Sequence, residues 1–153
     1  MAILQMTINV EETNNGHHFN CAHTEGNWIV DWGDDCIEVN KKYHTYKQAG
    51  LYQITVKGDF EIKHIKFPQS VISLDKEEGC EITSLENCFI FCIQLVLIPK
   101  NWDVSKVTDM ESMFEGCVSF NQDLSHWNLE KVSTVYMFVN CPIEEKHKPK
   151  GLR

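Results

Sequence analysis

Two tryptophan-led phrases a fixed distance apart constrain this chain more than anything else in it. Trp102-Asp103-Val104-Ser105-Lys106-Val107-Thr108-Asp109-Met110 leads into Met113-Phe114-Glu115-Gly116-Cys117 and then Phe120-Asn121-Gln122-Asp123-Leu124-Ser125. Trp127-Asn128-Leu129-Glu130-Lys131-Val132-Ser133 opens the phrase again and reaches Met137-Phe138 and Cys141, so the period is 25 residues. A repeat of this length marks a solenoid, in which each unit buries its apolar face only against its neighbours. Carried towards the N-terminus, the period puts Ile82 under Val107, Leu85 under Met110, Phe89 under Phe114, Cys92 under Cys117 and Leu95 under Phe120. Ile82 to Pro99 is therefore an earlier, degenerate coil, which makes about three coils, near the minimum for a stable stack.

Spacing also assigns the faces. Val107, Met110, Met113, Phe114, Phe120 and Leu124 point to one interior, and the polar residues between them face solvent. Equivalent positions on paired segments stack at roughly 4.7–4.9 Å. Phe89, Phe114 and Phe138 then form one ladder, and Cys92, Cys117 and Cys141 another. Disulfide geometry needs Cα atoms about 4.4–6.8 Å apart, so neighbouring ladder cysteines are within reach of oxidation. Buried, reduced thiols are the simpler reading, and Cys88 likewise reads as core rather than metal ligand.

Residues 1–70 have a different rhythm. Met6, Ile8 and Val10 alternate with polar residues, the period of a half-buried strand. Trp28 to Trp32 reads as a second strand stopped by Gly33-Asp34-Asp35, and Ile37 and Val39 alternate again. Leu51 to Val56 is a further β-rich run, and Phe60 to Phe67 alternates until Pro68. Short strands with turn residues at close intervals predict a small β-sandwich over 1–70, followed by the solenoid over 71–141. Residues 142–153, with Pro142, Lys146, Lys148, Pro149, Lys150 and Gly151, read as a basic, solvated, frayed tail.

Charge narrows the choice of partner. The net charge is -8, and residues 1–143 hold 10 Lys against 20 Asp and Glu. Arg153 is the only arginine, so nucleic-acid binding, which leans on Arg forks, is not expected. No run reaches the roughly 18 apolar residues of a membrane span. The N-terminus lacks the basic and apolar regions of a signal peptide. Seven cysteines without compact spacing fit a reducing compartment. The sequence as it stands is expected to be cytoplasmic, or at the cell surface if it is a piece of an exported protein.

Two resemblances follow from quoted residues. Val30-Asp31-Trp32-Gly33-Asp34, followed by Tyr43-His44-Thr45-Tyr46 and Ala49-Gly50-Leu51-Tyr52-Gln53-Ile54-Thr55-Val56, resembles the core phrases of a PKD-type (polycystic kidney disease repeat) β-sandwich. Asp35 stands where that family usually has Gly, which puts the turn in question. The phrases at 102–127 resemble the repeat of BspA-like leucine-rich-repeat surface proteins, in which PKD-like segments also occur. The run Ile72-Ser73-Leu74, Ile82-Thr83-Ser84-Leu85, Cys92, Leu95 and Ile98-Pro99 is similar to the first coil of that family. The resemblance implies a mainly β chain with a PKD-like sandwich capping a short leucine-rich-repeat-like solenoid. It also implies a short helical or 3-10 turn per coil, and a role in adhesion or protein binding.

The sequence carries no Gly-rich phosphate loop, nucleophile elbow or zinc-binding helix motif, so an enzyme is not expected and no cofactor or metal is assigned. Asp31, Asp34 and Asp35 lack the roughly six oxygens of a Ca²⁺ site and read as turn formers. His17, His18, Cys21 and His23 have loose metal-like spacing without a second paired half and read as a polar loop. Asp103, Asp109, Glu111 and Asp123 recur with the repeat and read as a solvated face. The expected function is non-catalytic binding of a protein partner, with contacts at Lys106, Thr108, Asp109, Ser133, Thr134 and Tyr136. An acidic immunity-type inhibitor of a basic protein, such as a toxin, is the alternative. An enzyme with dispersed catalytic residues stands third. Neither the partner nor the oligomeric state can be read from these residues.

Overall fold

The computed structural model describes residues 1–11, 16–18, 20–22, 26–60 and 64–152. Its strands are β1 (Ala2–Val10), β2 (Gly16–His18), β3 (Asn20–Ala22), β4 (Gly26–Asp31), β5 (Ile37–Val39), β6 (Tyr43–Thr45), β7 (Gly50–Phe60), β8 (His64–Lys66) and β9 (Val71–Glu78). One antiparallel five-stranded sheet has the order β5-β4-β7-β1-β9, while β2 pairs with β6 and β3 with β8 in two-stranded ladders. The chain is thus mainly β, built on a single sheet with two small ladders rather than on a sandwich of two full sheets.

β1 forms because its residues alternate. Ala2, Leu4, Met6, Ile8 and Val10 are buried, and the residues between them are half-buried. It lies between β7, in register from Ala2↔Gly58 to Val10↔Gly50, and β9. β5 alternates the other way from the expected pattern. Ile37 and Val39 are 65% and 61% exposed. Glu38 turns towards the loop before it instead, accepting a hydrogen bond from Trp32 Nε1 at 3.0 Å. A buried indole N–H needs an acceptor, and that requirement overrides the apolar period on this short edge strand.

β9 joins the sheet to the repeats. It pairs with β1 on one side, and Ser73 makes a parallel bridge to Leu97 on the other. Beyond it, Ser84, Asp109 and Ser133 bridge in succession, all parallel. The N–H groups of Leu85, Asn87, Phe89 and Phe91 donate to the carbonyls of Asp109, Glu111, Met113 and Glu115. Those of Met110, Ser112, Phe114 and Gly116 donate in the same way to Ser133, Val135, Met137 and Val139. Phe67, Phe89, Phe114 and Phe138 stack face to face, with centroids 4.8, 5.6 and 5.6 Å apart. One apolar core runs without a break from Ala2 to Ile143.

The expected helical turns do not form. The only helical element among the described residues is a 3-10 turn, Glu145–His147. Each repeat places two residues in the left-handed region, and the pairs are in step: Asn87 and Phe91, Ser112 and Gly116, Tyr136 and Asn140. Such a residue reverses the backbone twist, so no α-helix can propagate through it.

The C-terminal residues are not frayed as expected. Ile143 and Pro149 are buried, and Leu124 N and Leu129 N donate to the carbonyls of His147 and Lys150. Asn128 bridges Lys150 in parallel, continuing the pattern of the repeat. Despite its prolines, glycine and lysines, this stretch is docked by its buried apolar residues and by its backbone carbonyls.

Candidate functional site

Of the residues expected on a binding face, Thr108, Asp109 and Ser133 lie along the row of parallel bridges. Ser133 N donates to Thr108 O, and the Thr108 hydroxyl donates to Thr83 O at 3.3 Å. Lys106 is exposed and pairs with Glu81 at 2.9 Å. Tyr136 is 64% exposed, on a left-handed turn, in step with Ser112 and Asn87. Thr134 does not belong to the face: it is 4% exposed, because its position is the equivalent of the core residues Met110 and Leu85.

The recurring carboxylates form turns. Asp103, Asp109 and Asp123 each accept, through Oδ1, the backbone N–H two residues on, from Ser105, Glu111 and Ser125. Asn128 does the same for Glu130 N. These are Asx turns, which begin a change of chain direction. The Ser105 hydroxyl and amide hold Asp103 below the usual carboxylate range, and Ser125 does so for Asp123.

The ladder cysteines are free thiols. Cys117 Sγ lies 3.0 Å from Phe89 O, and Cys92 Sγ 3.5 Å from Pro68 O. Burial pushes Cys117 up to about 12 and raises Cys92 and Cys141 as well. Such thiols are poor nucleophiles.

The repeats also carry exposed apolar side chains, as the sheet does at Ile29, Ile37, Val39 and Leu51. Phe91, Ile93, Val96, Leu97 and Val118 are 47%, 52%, 49%, 50% and 56% exposed. Phe91 and Ile93 share a depression of about 290 Å³ with Asn9, Glu11, Gln69, Ser70 and Gln94, where the repeats meet the sheet. The 25-residue period relates Val118 to Ile93, but it puts Gly116, Asn121 and Gln122 one unit beyond Phe91, Val96 and Leu97, so no periodic signal marks the set.

A second constellation sits at the other end of the sheet. Trp32 N donates to Cys36 O, and Gly33 N to Asp31 Oδ1, closing the loop between β4 and β5. Asp35, at φ 66°, is in the left-handed region, which Gly adopts more readily than a residue with a Cβ. The closed loop brings Asp34 and Cys36 to His44 on β6, and ligand atoms of all three lie within 4.8 Å of one another. His44 Nε2 is 2.8 Å from Asp34 Oδ2, and its Nδ1 is 3.9 Å from Glu38 Oε2. The imidazole stacks on Trp32 at 5.1 Å and meets Tyr46 edge-on at 4.6 Å. Tyr46 donates its hydroxyl to Trp32 O at 2.9 Å. Desolvation and then the carboxylates of Glu38, Asp34 and Asp31 push the Cys36 thiol up. The sequence reading grouped Asp34 with Asp31 and Asp35 and missed this set, since Cys36 and His44 come together only through the loop. The other loosely metal-like group is not part of it: His23, and the side chains of His17, His18 and Cys21, lie outside the described residues.

Among the described residues no helix is long and apolar enough to cross a membrane. No curated protein and no solved structure matches the chain. Residues 59–145 match the family described as "Mycoplasma protein of unknown function, DUF285". That span contains β8, β9 and all the repeat units, and it covers more than half of the chain; the chain belongs to this family.

Proposed function

We propose that this chain is a non-catalytic protein-binding module, a short BspA-like solenoid whose first coil is covered by a PKD-like sheet. The observation that carries the reading is the exposure of the apolar side chains Phe91, Ile93, Val96, Leu97 and Val118 on the repeats. Phe91 and Ile93 share one depression, and Val118 lies one period beyond Ile93; exposed apolar surface beyond scattered single residues marks interaction sites. Lys106, Thr108, Asp109, Ser133 and Tyr136 supply polar contacts on the same stack of repeats. The last repeat adds backbone donors. Tyr136, Phe138 and Asn140 are the equivalents of Ser112, Phe114 and Gly116, yet among the described residues their N–H groups donate to nothing. A partner offering carbonyls could pair with that edge as an added strand does. The reading includes no catalytic step, and the turn-forming role of the recurring carboxylates supports that.

The test is capture of proteins from a lysate of the source cells on the immobilised chain, followed by titration of whatever is recovered. A saturable protein partner is expected, with capture lost in a Phe91→Ser, Val118→Ser double variant that keeps the wild-type unfolding midpoint. Recovery of no saturable partner, or undiminished capture by that variant, overturns the reading.

A further inference from the structure

We propose that Asp34, Cys36 and His44 form a binding site for a single divalent cation of the zinc class. The site lies away from the repeat face, and its existence does not depend on what that face binds.

The donor set decides the class of ion. One thiolate, one imidazole nitrogen and one carboxylate oxygen suit a borderline-soft ion such as Zn²⁺. Ca²⁺ and Mg²⁺ require shells made of oxygen, which one or two carboxylates here do not provide. The ligand atoms already lie within 4.8 Å of one another, so an ion placed among them draws each inward by a small movement. Asp34 and Cys36 are held on one closed loop by the Trp32 N to Cys36 O hydrogen bond, and His44 is held by its stack on Trp32. The ring is therefore oriented before any ion arrives, as a preorganised site requires.

Two further observations point to a ligand. Asp34 Oδ1 is buried and has no hydrogen-bond partner, a cost that coordination would remove. Glu38 Oε2 stands 3.9 Å from His44 Nδ1 while Nε2 faces Asp34. At 3.9 Å Glu38 and Nδ1 are not hydrogen-bonded; closing that gap on ion binding would let the carboxylate fix the imidazole's tautomer and raise its basicity. Charge balances as well: Asp34 and the Cys36 thiolate carry one negative charge each, and neutral His44 adds none. On binding, the thiol proton leaves to water, the proton between His44 and Asp34 settles on Nδ1 towards Glu38, and Nε2 becomes free to ligate. All three ligands are only half-buried, which leaves the fourth position to water.

The experiment uses the full reduced chain, stripped with a chelator and titrated with Co²⁺ as a visible substitute for Zn²⁺. Expected are one bound equivalent with a thiolate-to-cobalt charge-transfer band, bleaching of that band by Zn²⁺, and a rise in the unfolding midpoint. Cys36→Ser, at a half-exposed position, should abolish the band. Glu38→Gln should weaken Zn²⁺ binding about 10–100-fold while leaving the near-ultraviolet signal of Trp32 in place. The absence of a charge-transfer band in the wild type, or its survival in Cys36→Ser, overturns the proposal. So does Zn²⁺ affinity that neither Cys36→Ser nor His44→Gln reduces.

Discussion

Phe114 lies face to face with Phe138, centroids 5.6 Å apart and planes within 2° of parallel. On its other side it faces Phe89 at 5.6 Å, and its own unit's Phe120 stacks at 4.4 Å. Phe114 is fully buried and Phe138, at the end of the ladder, only partly so. Truncating Phe114 therefore opens a cavity closed on every side, whereas truncating Phe138 opens one at the rim. Phe114→Ala should cost about 3–5 kcal/mol in urea unfolding, the usual range for a buried Phe. Phe138→Ala should cost less, and a loss as large as that of Phe114→Ala would show that the stack does not end there. Because the core is continuous, both variants should unfold in one transition.

The left-handed positions offer a sharper comparison. Gly116 has φ 72°, and an added Cβ would run into the Phe91 ring, so Gly116→Ala should destabilise by more than about 1 kcal/mol. Tyr136 has φ 58° and a side chain 64% exposed. A bulky residue held there costs about 1 kcal/mol, while Asn tolerates the conformation. Tyr136→Asn should therefore raise stability by up to about 1 kcal/mol and, if Tyr136 contacts the partner, lower capture. A Tyr136→Asn chain that is both less stable and equally competent in capture would show that Tyr136 is neither strained nor part of the contact.

Much of the repeat was legible because burial leaves a period in the sequence. Phe89, Phe114, Cys92 and Cys117 fall on the ladders their spacing predicts, since a core position must be apolar in every unit. The backbone between them was not legible. Phe91, Ser112 and Tyr136 are ordinary L-residues, and nothing in their type announces a positive φ. That hid the reason why the turns are not helical. The outward faces of Ile37 and Val39 were missed because alternation gives a strand two faces without saying which is inside; the indole of Trp32 settles it through Glu38. The Asp34, Cys36 and His44 set was invisible for a third reason. Its members come from a loop and from β6, and only the tertiary fold brings them together.

Lys106 separates surface from scaffold. Its ion pair with Glu81 is exposed, and pairs of that kind contribute little to stability because water and salt screen them. Lys106→Ala should leave the urea midpoint unchanged. If Lys106 contacts the partner, the same variant should weaken capture, more clearly at low salt than at high salt. Unchanged capture at both salt concentrations would take Lys106 off the binding face.

The ladder thiols should make this protein sensitive to alkali. Burial raises Cys117 from 9.0 to about 12, and Cys92 and Cys141 shift the same way. The folded state then holds its thiol protons where the unfolded chain has released them. Below the unfolded value the neutral thiols contribute their full stability. Between about pH 9 and pH 12 the unfolded chain gains by ionising while Cys117 does not, so stability falls, by up to about 1.4 kcal/mol per pH unit for each such thiol. Urea unfolding of the reduced protein at pH 8 and pH 10.5 should show the decline, and Cys117→Ala, although less stable at pH 8, should show a shallower one. Equal slopes for the two chains would mean that Cys117 ionises alike in both states. A disulfide along the ladder would remove the effect altogether, so thiol titration in denaturant belongs with the measurement: all seven cysteines should react, and those of the ladder only after unfolding.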